Sequence, residues 1–61
     1  MKNYLFCVND ENDENDGEEF LVGAYDDDEA WQIAVKNFGE NVAFLDFLSD
    51  EEAEESGLDE Y

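Results

Sequence analysis

Positive charge is almost absent from this chain: Lys2 and Lys36 are its only basic side chains, and arginine and histidine do not occur. A nucleic-acid backbone or an anionic lipid surface would therefore be repelled, so direct DNA or RNA binding and membrane association are the first functions to drop out. With threonine also missing, the hydroxyl and thiol nucleophiles other than tyrosine come down to two serines and one cysteine, beside the many carboxylates. Paired carboxylates act as acid and base only when burial raises one pKa, and nearly every Asp and Glu here falls in a segment that reads as exposed. Ser49 and Ser56 sit at expected helix ends, where capping accounts for Ser49. Cys7 has no base near it in sequence and reads as a core thiol, so the expectation is a non-enzyme with no cofactor. A lone cysteine also excludes an internal disulfide and the paired spacings of a zinc site, which fits a reducing, cytoplasmic setting. Long apolar runs are missing too. Tyr4-Leu5-Phe6-Cys7-Val8 passes straight into acid and is too short for a signal peptide or a membrane span.

What fills the chain is acid, with 20 Asp and Glu among 61 residues and a formal net charge of −18. Low mean hydropathy with such a charge is usual for disorder, yet apolar residues make up 43% of the chain and lie in blocks. The reading is a single folded domain over 1–61, of a size that buries only about 60% of its unfolded surface. Self-repulsion works against any compact state, so a chain that keeps this charge beside five Phe, three Tyr and one Trp has a use for the field itself.

Residues 4–8 read as a strand apolar on both faces, and Phe20 to Tyr25 as a second. Between them Asn9 to Glu19 holds seven acids in eleven residues, with Gly17 near its end, and reads as a mobile acidic hairpin turn. Asp26 with Glu29 three residues on marks a helix start, Ala30, Trp31, Ala34, Val35 and Phe38 form its expected apolar face, and Gly39 stops it. Val42 to Leu48 is a third strand, whose alternation sets Val42, Phe44 and Leu48 with Asp46 against Ala43, Leu45 and Phe47. Ser49-Asp50-Glu51-Glu52 is a capping box opening a short acidic helix that ends at Gly57, within an acidic helix and tail over 49–61. The expected fold is α+β: a small two-layer β-β-α-β domain with a three-stranded antiparallel sheet in order 2-1-3, one packed helix and the short C-terminal helix. Since every strand is apolar on both sides, the second sheet face needs the tail helix, a second copy or a partner.

Asn12-Asp13-Glu14-Asn15-Asp16-Gly17 superficially matches the start of an EF-hand loop, but the position that must hold a bidentate Glu is Gly23. A solvated polar turn is the better reading, with a weak divalent-cation site as a third functional alternative and no metal ligands assigned. Trp31 and Phe38 read as core rather than a stacking platform. The strongest constellation is the acid. Carboxylates at i, i+3 and i+4 on a helix stand about 5–6 Å apart, so Glu51, Glu52 and Glu55, with Asp59 beyond, form a phosphate-like row, and Asp13, Glu14, Asp16, Glu18 and Glu19 at the hairpin tip form a second. Tyr61 adds an apolar body with a polar tip, suited to an interface.

Small size, extreme acidity, an α+β layout and no catalytic set together resemble the phage-encoded DNA-mimic inhibitors, among them inhibitors of uracil-DNA glycosylase, anti-restriction proteins and some anti-CRISPR proteins. The likeness spans the chain's overall character and rests on no aligned motif. It implies an inhibitor that occupies the basic surface of a nucleic-acid-binding protein. The alternative is an interaction or assembly module, a homodimer through an apolar sheet face, with the acid serving solubility.

Overall fold

A computed structural model describes residues 1–61. Strand β1, Lys2–Val8, is flanked by antiparallel β2, Glu19–Ala24, and antiparallel β3, Val42–Leu48, in the order β2-β1-β3. Helix α1, Asp27–Phe38, joins β2 to β3, and helix α2, Asp50–Ser56, follows β3. The alternation of β1 turns Tyr4, Phe6 and Val8 toward α1, where all three are buried. Register sets Phe6 opposite Phe20 on one side and Phe44 on the other, so an aromatic row crosses all three strands. Its ring centroids are 5.8 Å apart on each side, stacked toward Phe20 and edge-on toward Phe44.

Local chemistry fixes the helix ends. The Glu29 N–H donates to Asp26 Oδ1 at 2.8 Å, and the chain leaves α1 through Gly39 at φ 87°, a backbone conformation that favours glycine. At α2 the capping box is complete: Glu52 N–H donates to Ser49 Oγ and Ser49 N–H to Glu52 Oε1.

Two apolar assignments differ from the sequence pattern. The buried face of α1 is Ala30 and Ala34, flanked by Ile33 and Phe38, whereas Trp31 and Val35 are 40% and 37% exposed. The cause is that α1 packs chiefly on β2. The stripe Asp27–Trp31–Val35 is thereby left at the rim. In β3 a register shift opposite Leu5 and Phe6 pairs Phe44 with Phe6 and Asp46 with Leu5, leaving Leu45 as an extra residue. This bulge reverses the alternation beyond it. Phe47, expected on the side away from Phe44, instead joins it on the α1 side, opposite Tyr4 and 5.0 Å from both rings.

The second sheet face is covered in part by the C-terminal segment. Leu21 and Ala53 are buried, and they line one cleft with Leu58. Asn3 Nδ2 donates to Asp50 Oδ1 at 2.8 Å and to the Leu48 carbonyl at 3.3 Å, tying the start of α2 to the sheet. Beyond α2 the chain runs parallel to β2 and covers its outer edge. Leu21 N–H donates to Asp59 O, Tyr61 N–H to Leu21 O and Gly23 N–H to Tyr61 O, at 2.8–3.0 Å. Gly23 suits this approach, because a Cβ there would lie 3.0 Å from Glu60 Oε1. The outer edge of β3 has no such cover. No helix is long and apolar enough to cross a membrane.

Deletion of residues 59–61 is expected to speed amide exchange at Leu21 and Gly23 by at least about tenfold, leaving β1–β3 amides far less affected. Unchanged protection, read by hydrogen-exchange NMR, would show that the tail does not pair with β2.

Candidate functional site

Three successive Asp residues organise the hairpin tip. Asp10 Oδ1 accepts the Asn12 N–H, Asp13 Oδ1 accepts the Asn15 N–H, and Asp16 Oδ1 reaches back to the Asp10 N–H, all at 2.9–3.0 Å. The first two are side-chain turns of the kind short Asp residues make with backbone two residues on, and the third closes the loop across six residues. Asp10 Oδ2 also accepts from Asn41 Nδ2 at 3.1 Å, and the Asn9 N–H donates to the Asn41 carbonyl, which fastens the tip to the entry of β3. Gly17, at φ 84°, returns the chain with its N–H on the Val8 carbonyl. The segment read as mobile from its length carries a series of hydrogen bonds from Asn9 to Glu18. Asp13 and Asp16, taken from sequence as contact residues, spend one oxygen each on backbone, while Glu11, Glu14, Glu18 and Glu19 are exposed and their carboxylates have no hydrogen-bond partner.

The second row divides in the same way. Glu51 and Glu55 are exposed on α2, Glu52 closes its cap, and the Asp59 carbonyl pairs with Leu21 while its residue stays exposed. Tyr61 is 41% exposed, but its ring stands edge-on to Phe38 at 5.1 Å and to Phe20 at 5.9 Å. It is therefore an extension of the core as much as a surface group.

The fold sets the hairpin tip and the start of α2 at opposite ends of the sheet, with Asp59 beside Leu21 on the edge of β2 between them. The tip follows the end of β1, whereas the pairing of Lys2 with Ala24 and the Asn3–Asp50 bond bring the starts of α1 and α2 to its beginning. Asp26, Asp27, Asp28 and Glu29 therefore join the α2 acids at one pole, a grouping invisible in the linear sequence. The molecule measures 32 Å along its longest axis. No group of three or more His, Cys, Asp or Glu is arranged to hold a metal ion.

Between the poles, on the flank of α1 next to β3, lies a feature that sequence reading missed. Tyr4, Asp27, Trp31, Phe44 and Phe47 line a cleft of about 250 Å³. It exists because the bulge turns Phe47 inward and the offset of α1 leaves Trp31 at the rim. Phe44 and Phe47 are 38% and 48% exposed, and Tyr4 only 2%. The Tyr4 hydroxyl is buried with no hydrogen-bond partner. Asp27 lies near without reaching hydrogen-bond geometry. Burial first, and then the Asp27 carboxylate with Asp26 and Glu29 behind it, raises the Tyr4 pKa above 10.0.

Two outcomes follow from these environments. Asp10→Ala removes acceptors from two N–H groups and should destabilise the chain by about 1 kcal/mol, whereas Glu14→Gln should leave stability unchanged or raise it by relieving repulsion; urea titration at low salt reads the sign of each. Tyr4 holds its proton more tightly folded than unfolded, so its contribution is intact below about pH 10 and lost as pH climbs through the raised folded value. Tyr4→Phe should reduce that alkaline decline without lowering the melting midpoint at pH 7, and a midpoint that falls at pH 7 would mean the hydroxyl is satisfied.

No protein-family model, curated protein or solved structure matches this chain.

Proposed function

We propose that this chain is a non-enzymatic inhibitor or regulator that occupies the basic nucleic-acid-binding surface of another protein in place of nucleic acid. The observation that carries the reading is a net charge of −18 on a chain whose acidic segments are hydrogen-bonded into a folded frame. Carboxylates fixed at two poles of a 32 Å body can present charge at set positions, as duplex DNA does with about one negative charge per 1.7 Å of axis. Glu14, Glu18 and Glu19 at the tip, Glu51 and Glu55 on α2, and Asp59 beside the edge of β2 are the contact residues in this view. Asp13, Asp16 and Glu52 act by holding the loop and helix that carry them. The field would speed encounter with a cationic partner, and a few apolar anchors would hold it.

A second reading, an assembly module, is favoured by one observation: β3 is an open edge whose Phe44, Leu45 and Phe47 are exposed. Such an edge is a template for strand addition by another chain. Sedimentation at several protein concentrations in high salt separates the two, since an apolar dimer persists where charge is screened.

The test of the first reading is capture on the tagged chain from a nuclease-treated bacterial lysate with a salt-gradient elution. One nucleic-acid-binding protein, retained stoichiometrically and displaced by added DNA or RNA, is the expected result. A diffuse set of basic proteins leaving together at modest salt would overturn it. With the captured protein in hand, Glu11, Glu14, Glu18 and Glu19 replaced together by Gln should slow association by about tenfold at low salt and flatten its salt dependence.

A further inference from the structure

We propose that the cleft between α1 and β3 is a binding site for a guanidinium group, and that its occupant is an arginine side chain of a basic partner protein. The source of the arginine rests on the function proposed above; the chemistry of the site rests on the cleft alone. Trp31, Phe44 and Phe47 offer partly exposed ring surface around it, and aromatic faces attract cations through their quadrupoles. Asp27 contributes a carboxylate from the first turn of α1. Tyr4 also lines the cleft, and its hydroxyl, on a residue 2% exposed, has no hydrogen-bond partner. A buried polar group left so is costly, and an arriving N–H donor would satisfy it.

Arginine fits these features better than lysine. A guanidinium stacks flat on aromatic rings while its in-plane N–H groups reach separate acceptors, here the Asp27 carboxylate and Tyr4 Oη; an ammonium is a more strongly hydrated point charge. One ring of the cleft already faces a cation, since Lys2 Nζ lies 5.5 Å from the centroid of the Phe47 ring. At a net charge of −18, the surroundings favour a cationic occupant over a second copy of the same chain.

The test is a titration of the full chain with N-acetyl-arginine amide, followed by the fluorescence of Trp31, the single tryptophan, with sodium chloride and N-acetyl-lysine amide at equal concentrations as references. Saturable binding with a Kd of about 1 mM is expected for the arginine amide, and binding of the lysine amide several-fold weaker. Asp27→Asn should weaken binding at least about fivefold, a change that leaves the N-cap Asp26 and the core in place. Tyr4→Phe should also weaken it, and Lys2→Gln should strengthen it by removing a competing cation. Replacing Glu14, Glu18 and Glu19 with Gln should leave the Asp27 effect intact. A response equal to that of sodium chloride, equal affinity for the two amides, or indifference to Asp27→Asn would each overturn the site. Saturable binding with no nucleic-acid-binding protein captured would sink the functional proposal and keep this one; capture without a response to the arginine amide would do the reverse.

Discussion

The row of rings formed by Phe20, Phe6 and Phe44 across the three strands is the contact on which the remainder of the molecule depends. A chain this short and this charged has few ways to offset repulsion, and aromatic side chains bury the most apolar area per residue. Phe6 is fully buried at the centre of the row, and it also meets Trp31 edge-on at 5.1 Å. The two alanines of α1 can approach such a row closely, which is why the helix settles there. Everything charged is pushed to the ends and outer surface by that arrangement.

Much of the acid does structural work before it does any other. Asp26 and Ser49 with Glu52 start the two helices, and Asp10, Asp13 and Asp16 fold the tip. Acids in the first turns of both helices also sit at the favourable end of the helix dipole. The unengaged Glu residues are therefore carried on segments whose shape is set by their acidic neighbours. Charge alone would give a sticky chain; charge on a hydrogen-bonded frame gives a pattern.

The strand order and the helix starts and stops were legible because each has a local signal: apolar blocks, Asp or Ser before a periodic run, Gly after it. The aromatic cleft was not. In Val42 to Leu48 every residue except Asp46 is apolar, and one polar mark is too few to reveal the extra residue at Leu45. One unseen residue was enough to move Phe47 to the other face. Ile33 and Trp31 exchanged roles because a helical wheel shows an apolar arc but not where along it the sheet lies. The tail strand left no trace either, as its pairing with Leu21 and Gly23 uses backbone groups that every residue possesses.

The position of β1 has a kinetic side. It is the middle of the sheet, yet its partners come later along the chain: Phe20 on one flank, and Phe44 and Phe47 on the other. Pairing at that distance must meet a loop-closure cost before it is rewarded, and such topologies fold slowly for their size. In this chain the segments to be closed are themselves strongly acidic, and mutual repulsion swells them in the unfolded state. Dissolved counterions thus shorten the search for the native sheet as well as steadying it once formed, so that the ionic composition of its surroundings governs how fast this protein comes into being.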